Sequence, residues 1–177
     1  VDYFTFEAKK GQRLSVEVEG ARLGRTMFDS FVAVHDRDGR VLARSDDTAL
    51  LKQDSFVTLI APEDGAYTVQ LRDSSYSGSS HVYRLHVGTF PRPVAVYPLG
   101  GKIGKQFEAR LIDEASGDFK QTFKLPTEPQ ALFPVVAERD GLAPSPNWLR
   151  VSPFPNVLEV EPNDELSNAT PTGGALP

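Results

Sequence analysis

The sequence predicts an all-β protein of two tandem antiparallel β-sandwiches, and three observations predict it. Short runs of β-branched and aromatic residues alternate with polar positions, the two-residue period of half-buried strands. Asp-Gly, Pro and Gly clusters break these runs where tight turns belong. In the first half no stretch of convincing length carries the 3.6-residue period of an amphipathic helix.

The pattern is clearest from Asp29 to Leu71. There Phe31-Val32-Ala33-Val34-His35 turns through Asp36-Arg37-Asp38-Gly39 and returns as Val41-Leu42-Ala43-Arg44, a hairpin. After the acidic Ser45-Asp46-Asp47-Thr48, Ser55 to Ile60 and Tyr67 to Leu71 form a second pair around Ala61-Pro62-Glu63-Asp64-Gly65.

Ahead of this region, Asp2 to Glu7 sets Phe4 and Phe6 on one face against Tyr3, Thr5 and Glu7 on the other. Leu14 to Glu19 alternates as cleanly and predicts a strand with one apolar and one wet face. Gly20 to Arg25 is a loop, with Ala21, Leu23 and Met27 as candidate plugs. Arg72 to Ser80 is a polar loop, and His81 to Val87 is the last strand of a first domain spanning residues 1–88. Gly88-Thr89-Phe90-Pro91-Arg92-Pro93 marks the boundary, since two prolines neither continue a strand nor start a helix.

A smaller Ig-like sandwich is expected over residues 89–158. Val94 to Tyr97, Phe107 to Ile112, Phe119 to Leu125, Leu132 to Ala137 and Trp148 to Val151 are its strands, with Pro126, Pro129 and Pro134 confining some to edges. Pro98-Leu99-Gly100-Gly101-Lys102-Ile103-Gly104 reads as a tight turn between strands, because a phosphate-cradling loop would have to open a helix. From Glu159 to Pro177 the composition turns acidic and then rich in Ala, Thr, Gly and Pro, as a linker is.

Composition narrows the function classes. The chain has 177 residues, 40% of them hydrophobic and 10% aromatic, enough for two small cores. A net charge of -5 without a basic stripe disfavours nucleic acid. No apolar run approaches the roughly 20 residues that span a bilayer, so membrane insertion is not expected. The absence of cysteine removes disulfides, thiolate metal sites and a cysteine nucleophile. The chain opens inside a strand, at Val1-Asp2-Tyr3-Phe4, and reads as a piece of something longer.

Residues 1 to 88 resemble the bacterial pre-peptidase C-terminal domain, whose relatives include the collagen-binding domains of clostridial collagenases. The resemblance runs through Asp2-Tyr3-Phe4-Thr5-Phe6, Gly11-Gln12-Arg13-Leu14, His35-Asp36-Arg37-Asp38-Gly39, Ser45-Asp46-Asp47 and Ala61-Pro62-Glu63-Asp64-Gly65-Ala66-Tyr67-Thr68-Val69. It implies a jelly-roll-like sandwich, export from a bacterium to the medium or cell surface, and a non-catalytic accessory role beside an enzyme. The family's leading Glu-Pro-Asn-Asp segment stands here at the far end, as Glu161-Pro162-Asn163-Asp164 followed by Ala169-Thr170-Pro171, which implies the start of another repeat. Residues 89–158 would then be a spacer between copies.

The resemblance also implies calcium. Carried over, the ligands are Asp2, Glu159, Glu161, Asn163 and Asp164, oxygen donors of the kind that a site needing about six to eight oxygens collects. The plain alternative is a solvated acidic linker. Asp36, Asp38 and Gly39 imitate half of a calcium loop but lack its glutamate and helices, so a hairpin turn fits better. Asp46 and Asp47 fit a turn at a strand end. His81 and His86, five apart on an expected strand, fall on opposite faces and predict no shared metal.

No nucleophile elbow or other catalytic constellation stands out, so no enzyme is expected. The expected function is a non-catalytic module that spaces or targets an attached enzyme. The alternative is a calcium-dependent module that binds extracellular protein or polysaccharide, for which Tyr67, Tyr76 and Tyr83 are candidate surface aromatics, with core positions the more common explanation for such residues.

Overall fold

A computed structural model describes residues 1–76 and 80–173. Part of the polar loop (77–79) and the end of the linker (174–177) lie outside the described residues. The fold is all-β, with three single-turn 3-10 segments and no α-helix among the described residues.

The first seven strands are β1 (Asp2–Ala8), β2 (Arg13–Glu19), β3 (Ser30–His35), β4 (Val41–Ser45), β5 (Phe56–Ile60), β6 (Gly65–Asp73) and β7 (Arg84–Gly88). They form two antiparallel sheets, β1-β6-β3-β4 and β5-β2-β7. Val32, Val34, Tyr67, Val69 and Leu71 of the first sheet pack on Leu14, Val16, Val18 and Val57 of the second. Burying each such side chain stabilises the fold by roughly 1.5–3 kcal/mol relative to exposure.

Tyr67 also fixes the turn before its own strand, donating its hydroxyl to the Glu63 carbonyl at 2.7 Å. Phe6 stacks on Tyr67 at 6.0 Å. Phe4, two residues away on the same face, stays 39% exposed because β1 is the edge of its sheet.

The remaining strands are β8 (Ala95–Tyr97), β9 (Gly100–Lys102), β10 (Gln106–Ile112), β11 (Phe119–Lys124), β12 (Gln130–Val135) and β13 (Asn147–Ser152). Sheets β11-β10-β8 and β12-β13-β9 enclose a second core of Val96, Ala109, Leu111, Leu125, Val135, Leu149 and Val151. Pro134 lies in β12 at the edge of its sheet, where a missing N–H is tolerated.

Five local expectations are corrected. Ser55–Ile60 and Tyr67–Leu71 do not pair: the turn at Pro62 crosses between sheets, leaving β5 beside β2 and β6 between β1 and β3. The glycine-rich stretch is not only a turn: Gly100–Lys102 forms β9 and pairs parallel with β13, so this sheet is not purely antiparallel. The reason is close approach, since a Cβ on Gly100 would sit 2.4 Å from the Arg150 carbonyl oxygen. The last strand of the first half starts at Arg84 instead of His81, whose ring stacks on Phe28 at 4.9 Å. Phe28, and not the 85%-exposed Met27, plugs the loop after β2. Finally, β2 has no wet face: Arg13 to Val18 are all buried.

Candidate functional site

The missing wet face of β2 is the most informative feature of the molecule. Val16 and Val18 point into the first core, while Arg13, Ser15 and Glu17 point to the opposite side of the sheet. Partners directly across the ladder share that outer side, namely Thr58 beside Ser15 and Phe56 beside Glu17. Residues of the second half lie over this row, and a charged seam forms between the halves.

At one end, Glu17 is fully buried and takes two guanidiniums. Arg92 Nε lies 2.8 Å from one carboxylate oxygen, and Arg22 Nη2 donates to the other at 3.0 Å. The Ser145 hydroxyl donates to that second oxygen as well. Arg22 continues to the Ser145 hydroxyl and the Val18 carbonyl, both at 2.7 Å, and to Asp54. Asp54 in turn accepts the backbone N–H groups of Gly20 and Ala21, at 3.0 and 2.7 Å, where the 3-10 turn Ala21–Leu23 begins. Burial works to lower the pKa of Arg22, yet the hydrogen bonds to Asp54 and Glu17 outweigh it and the net direction is up. For Arg92 burial wins over Glu17, with Arg22 adding repulsion, and the direction is down.

In the middle, the Ser15 hydroxyl donates to the Phe90 carbonyl at 2.7 Å. At the other end Arg13 bonds Ser116 through Nη2 at 2.6 Å and reaches the carbonyls of Thr89 and Arg139 at 3.3 Å. Ser116 donates to Asp113, which also takes Arg139 Nη2 at 3.0 Å. Asp113 is 2% exposed, and its oxygens accept the N–H groups of Ala115 and Ser116. Buried ion pairs add little net stability because desolvation offsets attraction, but losing one partner is costly. Parting the two sides of such a seam would therefore leave buried charges unpaired.

The acidic residues expected as calcium ligands stand in two separate settings. Asp2 accepts the Tyr83 hydroxyl at 2.5 Å. Burial first, and Asp2 second, push the Tyr83 pKa up to about 12. Glu159, Glu161 and Asn163 share one exposed turn, in which the Asn163 N–H bonds Glu161 at 2.9 Å and its side-chain amide reaches Glu159 at 3.5 Å. Asp164 is exposed beside them. No three His, Cys, Asp or Glu side chains converge as a metal site among the described residues.

The other candidates are placed as follows. Asp36 accepts the N–H groups of Asp38 and Arg40 at 2.9 and 2.8 Å, the side-chain-to-backbone bonding of a hairpin turn. His35 contacts Gln70, His81 lies 3.6 Å from Asp73, and His86 bonds Glu19 at 2.9 Å, so the histidines have separate partners. Asp46 and Asp47 come near Asp29 and Asp73; burial first, then these carboxylates, raise the pKa of Asp29. The three tyrosines form no common strip: Tyr67 is core, Tyr83 is tied to Asp2, and exposed Tyr76 lies under the Arg72 guanidinium at 4.1 Å.

The seam escapes sequence reading because a polar residue facing polar partners alternates as one facing water does. Arg92 offers a faint signal, as an arginine between two prolines at a boundary.

Residues 1–73 match the bacterial pre-peptidase C-terminal domain family. The chain is also similar to a probable subtilase-type serine protease of Deinococcus radiodurans, with 34% identity over 71 residues. That match covers 40% of this chain and 10% of the protease. The chain thus spans only a small part of the length of that relative.

Proposed function

We propose, from the premise that residues 1–73 are a bacterial pre-peptidase C-terminal domain, an accessory module that is not catalytic, that this chain as a whole spaces an attached enzyme within a larger secreted or cell-surface bacterial protein. In this reading residues 1–88 and 89–158 are the two sandwiches, and 159–177 lead into a following repeat. The observation that carries it is the seam. A spacer transmits position only if its parts hold one geometry, and Glu17, Arg22, Arg92 and Ser145 at one end with Arg13, Ser116, Asp113 and Arg139 at the other supply two separated anchor points. An exposed linker with few contacts would leave domain motion as the default. The protease relative supports an enzyme as the attached partner, since the match covers only a tenth of it.

The chain has no cysteine, so two can be introduced for spin labels, at exposed Val41 and exposed Leu132. One narrow distance distribution between the labels is expected. A broad one would overturn the spacer reading, and steady hydrolysis of casein by the pure chain would overturn its non-catalytic part.

A second reading, a calcium-dependent module that grips extracellular protein or polysaccharide, is favoured by one observation, the turn that draws Glu159, Glu161 and Asn163 together. Asp2 and Asp164 would have to join them to approach the ligand number calcium requires. A melt with calcium against chelator tests it: a rise of several degrees supports linkage to native-state binding, and no shift removes calcium from this chain.

A further inference from the structure

A cleft of about 280 Å³ opens beside the seam, lined by Phe56 and Thr58 of β5, Arg44, Arg92, Val94 and the turn at Asp113–Ala115. Three buried hydrogen-bonding atoms of its lining residues have no hydrogen-bond partner among the described residues: Arg92 Nε, Arg92 Nη2 and Thr58 Oγ1. Arg92 is 2% exposed; its Nη1 donates to the Ser145 carbonyl at 3.0 Å, and its Nε is held beside Glu17 at 2.8 Å by charge, without a hydrogen bond, which leaves Nη2 as the nitrogen with neither. A buried donor left unmade costs roughly 1–3 kcal/mol, and more when it is charged. Folded proteins rarely leave several such atoms on one cavity.

Charge says what would satisfy them. The seam holds four guanidiniums, Arg13, Arg22, Arg92 and Arg139, of which Arg22 and Arg139 are partly open to solvent, against three buried carboxylates, Glu17, Asp54 and Asp113. One positive charge is in surplus. At the mouth, exposed Arg44 and Glu114 offset each other. We infer that the cleft binds a monoanionic carboxylate, one oxygen accepting from Arg92 Nη2 and the Thr58 hydroxyl, with the apolar stem against Phe56 and Val94. The downward pKa direction of Arg92 agrees, because burial disfavours its charge until an anion faces it. A phosphate dianion would bring a charge more than the surplus. The volume, about nine waters at roughly 30 Å³ each, suits a short acid or one side chain. Free short-chain acids and the glutamate or aspartate side chains of a polypeptide share this chemistry.

The test uses the whole chain, titrated at constant ionic strength with propionate, with phosphate and with acetyl-Ala-Glu-Ala-amide, followed by amide NMR shifts. Saturable shifts confined to residues around 44, 56–58, 92–94 and 113–115 are expected for propionate or the peptide, and not for phosphate. Tighter binding of propionate identifies a free acid as the ligand; tighter binding of the peptide identifies a protein side chain. Thr58→Val keeps the shape of a β-branched strand residue and removes an unbonded hydroxyl, so the fold persists. It is expected to weaken carboxylate binding roughly tenfold, with Thr58→Ser restoring it. Absence of saturation up to concentrations on the order of 0.1 M, phosphate binding as well as propionate, or equal affinity in the valine variant would each overturn the inference.

Discussion

Replacing Glu17 by glutamine keeps the shape of the side chain and removes one charge from the centre of the seam. Arg22 retains Asp54, which stays fully buried against it, whereas Arg92 loses its carboxylate partner and keeps one hydrogen bond, to the Ser145 carbonyl. One buried guanidinium is left uncompensated instead of two. Breaking a buried pair by removing one partner costs about 3–5 kcal/mol, and the surviving contacts of Arg22 place this variant at the lower end, about 3 kcal/mol. For a chain of this size each kcal/mol moves the melting temperature by roughly 2–4 °C, so Glu17→Gln is expected to melt roughly 6–12 °C below the parent. Urea unfolding followed by tryptophan fluorescence and by circular dichroism gives the free energy directly. Glu108→Gln is the control: its partner Lys120 is 2.7 Å away, but both side chains are more than half exposed, and the expected loss is under about 1 kcal/mol. A Glu17→Gln loss no larger than that of the control would refute the reasoning, because it would mean that water reaches the seam.

Other expectations follow from single contacts. Tyr83 holds its phenolic proton more tightly in the folded than in the unfolded chain, so its contribution to stability is present below pH 10 and fades as pH rises toward about 12; ultraviolet titration should show a tyrosine step near pH 12 that Asp2→Asn brings down. For Asp29, whose folded pKa is raised chiefly by burial and then by Asp47, Asp46 and Asp73, the folded state again binds the proton more tightly, and stability falls as pH climbs past the ordinary value of 3.8. Asp29→Asn should therefore raise the melting temperature slightly at pH 7 and lose that advantage in acid. Gly100→Ala places a Cβ against the backbone of Arg150 and must part β9 from β13, at a cost of about 1–3 kcal/mol in urea unfolding.

What was legible in the sequence was what periodicity carries. The hairpin from Phe31 to Arg44 and the Asp36 turn follow from two-residue alternation and turn chemistry, whereas the strands on either side of Pro62 alternate as a hairpin would and yet belong to different sheets. Edge placement of the Pro134 strand followed from its missing donor. What was not legible depended on contacts distant in the chain. Glu17 meets Arg92 and Ser145 only after both sheets have formed, so its alternation on β2 looked like a solvated face. Gly100 looked like turn material because its partner, the Arg150 backbone, lies far along the chain. Tyr67, Tyr76 and Tyr83 read either as a binding surface or, more plainly, as core; Tyr67 is core, and Tyr83 is the partner of Asp2.

The most direct test of the central claim, that the seam makes the two halves one rigid spacer, is residual dipolar couplings measured across the whole chain in a dilute aligning medium. The account predicts that the amides of β1 to β7 and of β8 to β13 fit a single alignment tensor with the orientation seen here. Two tensors of different magnitude or direction would contradict it, and would leave the halves as beads on a flexible string.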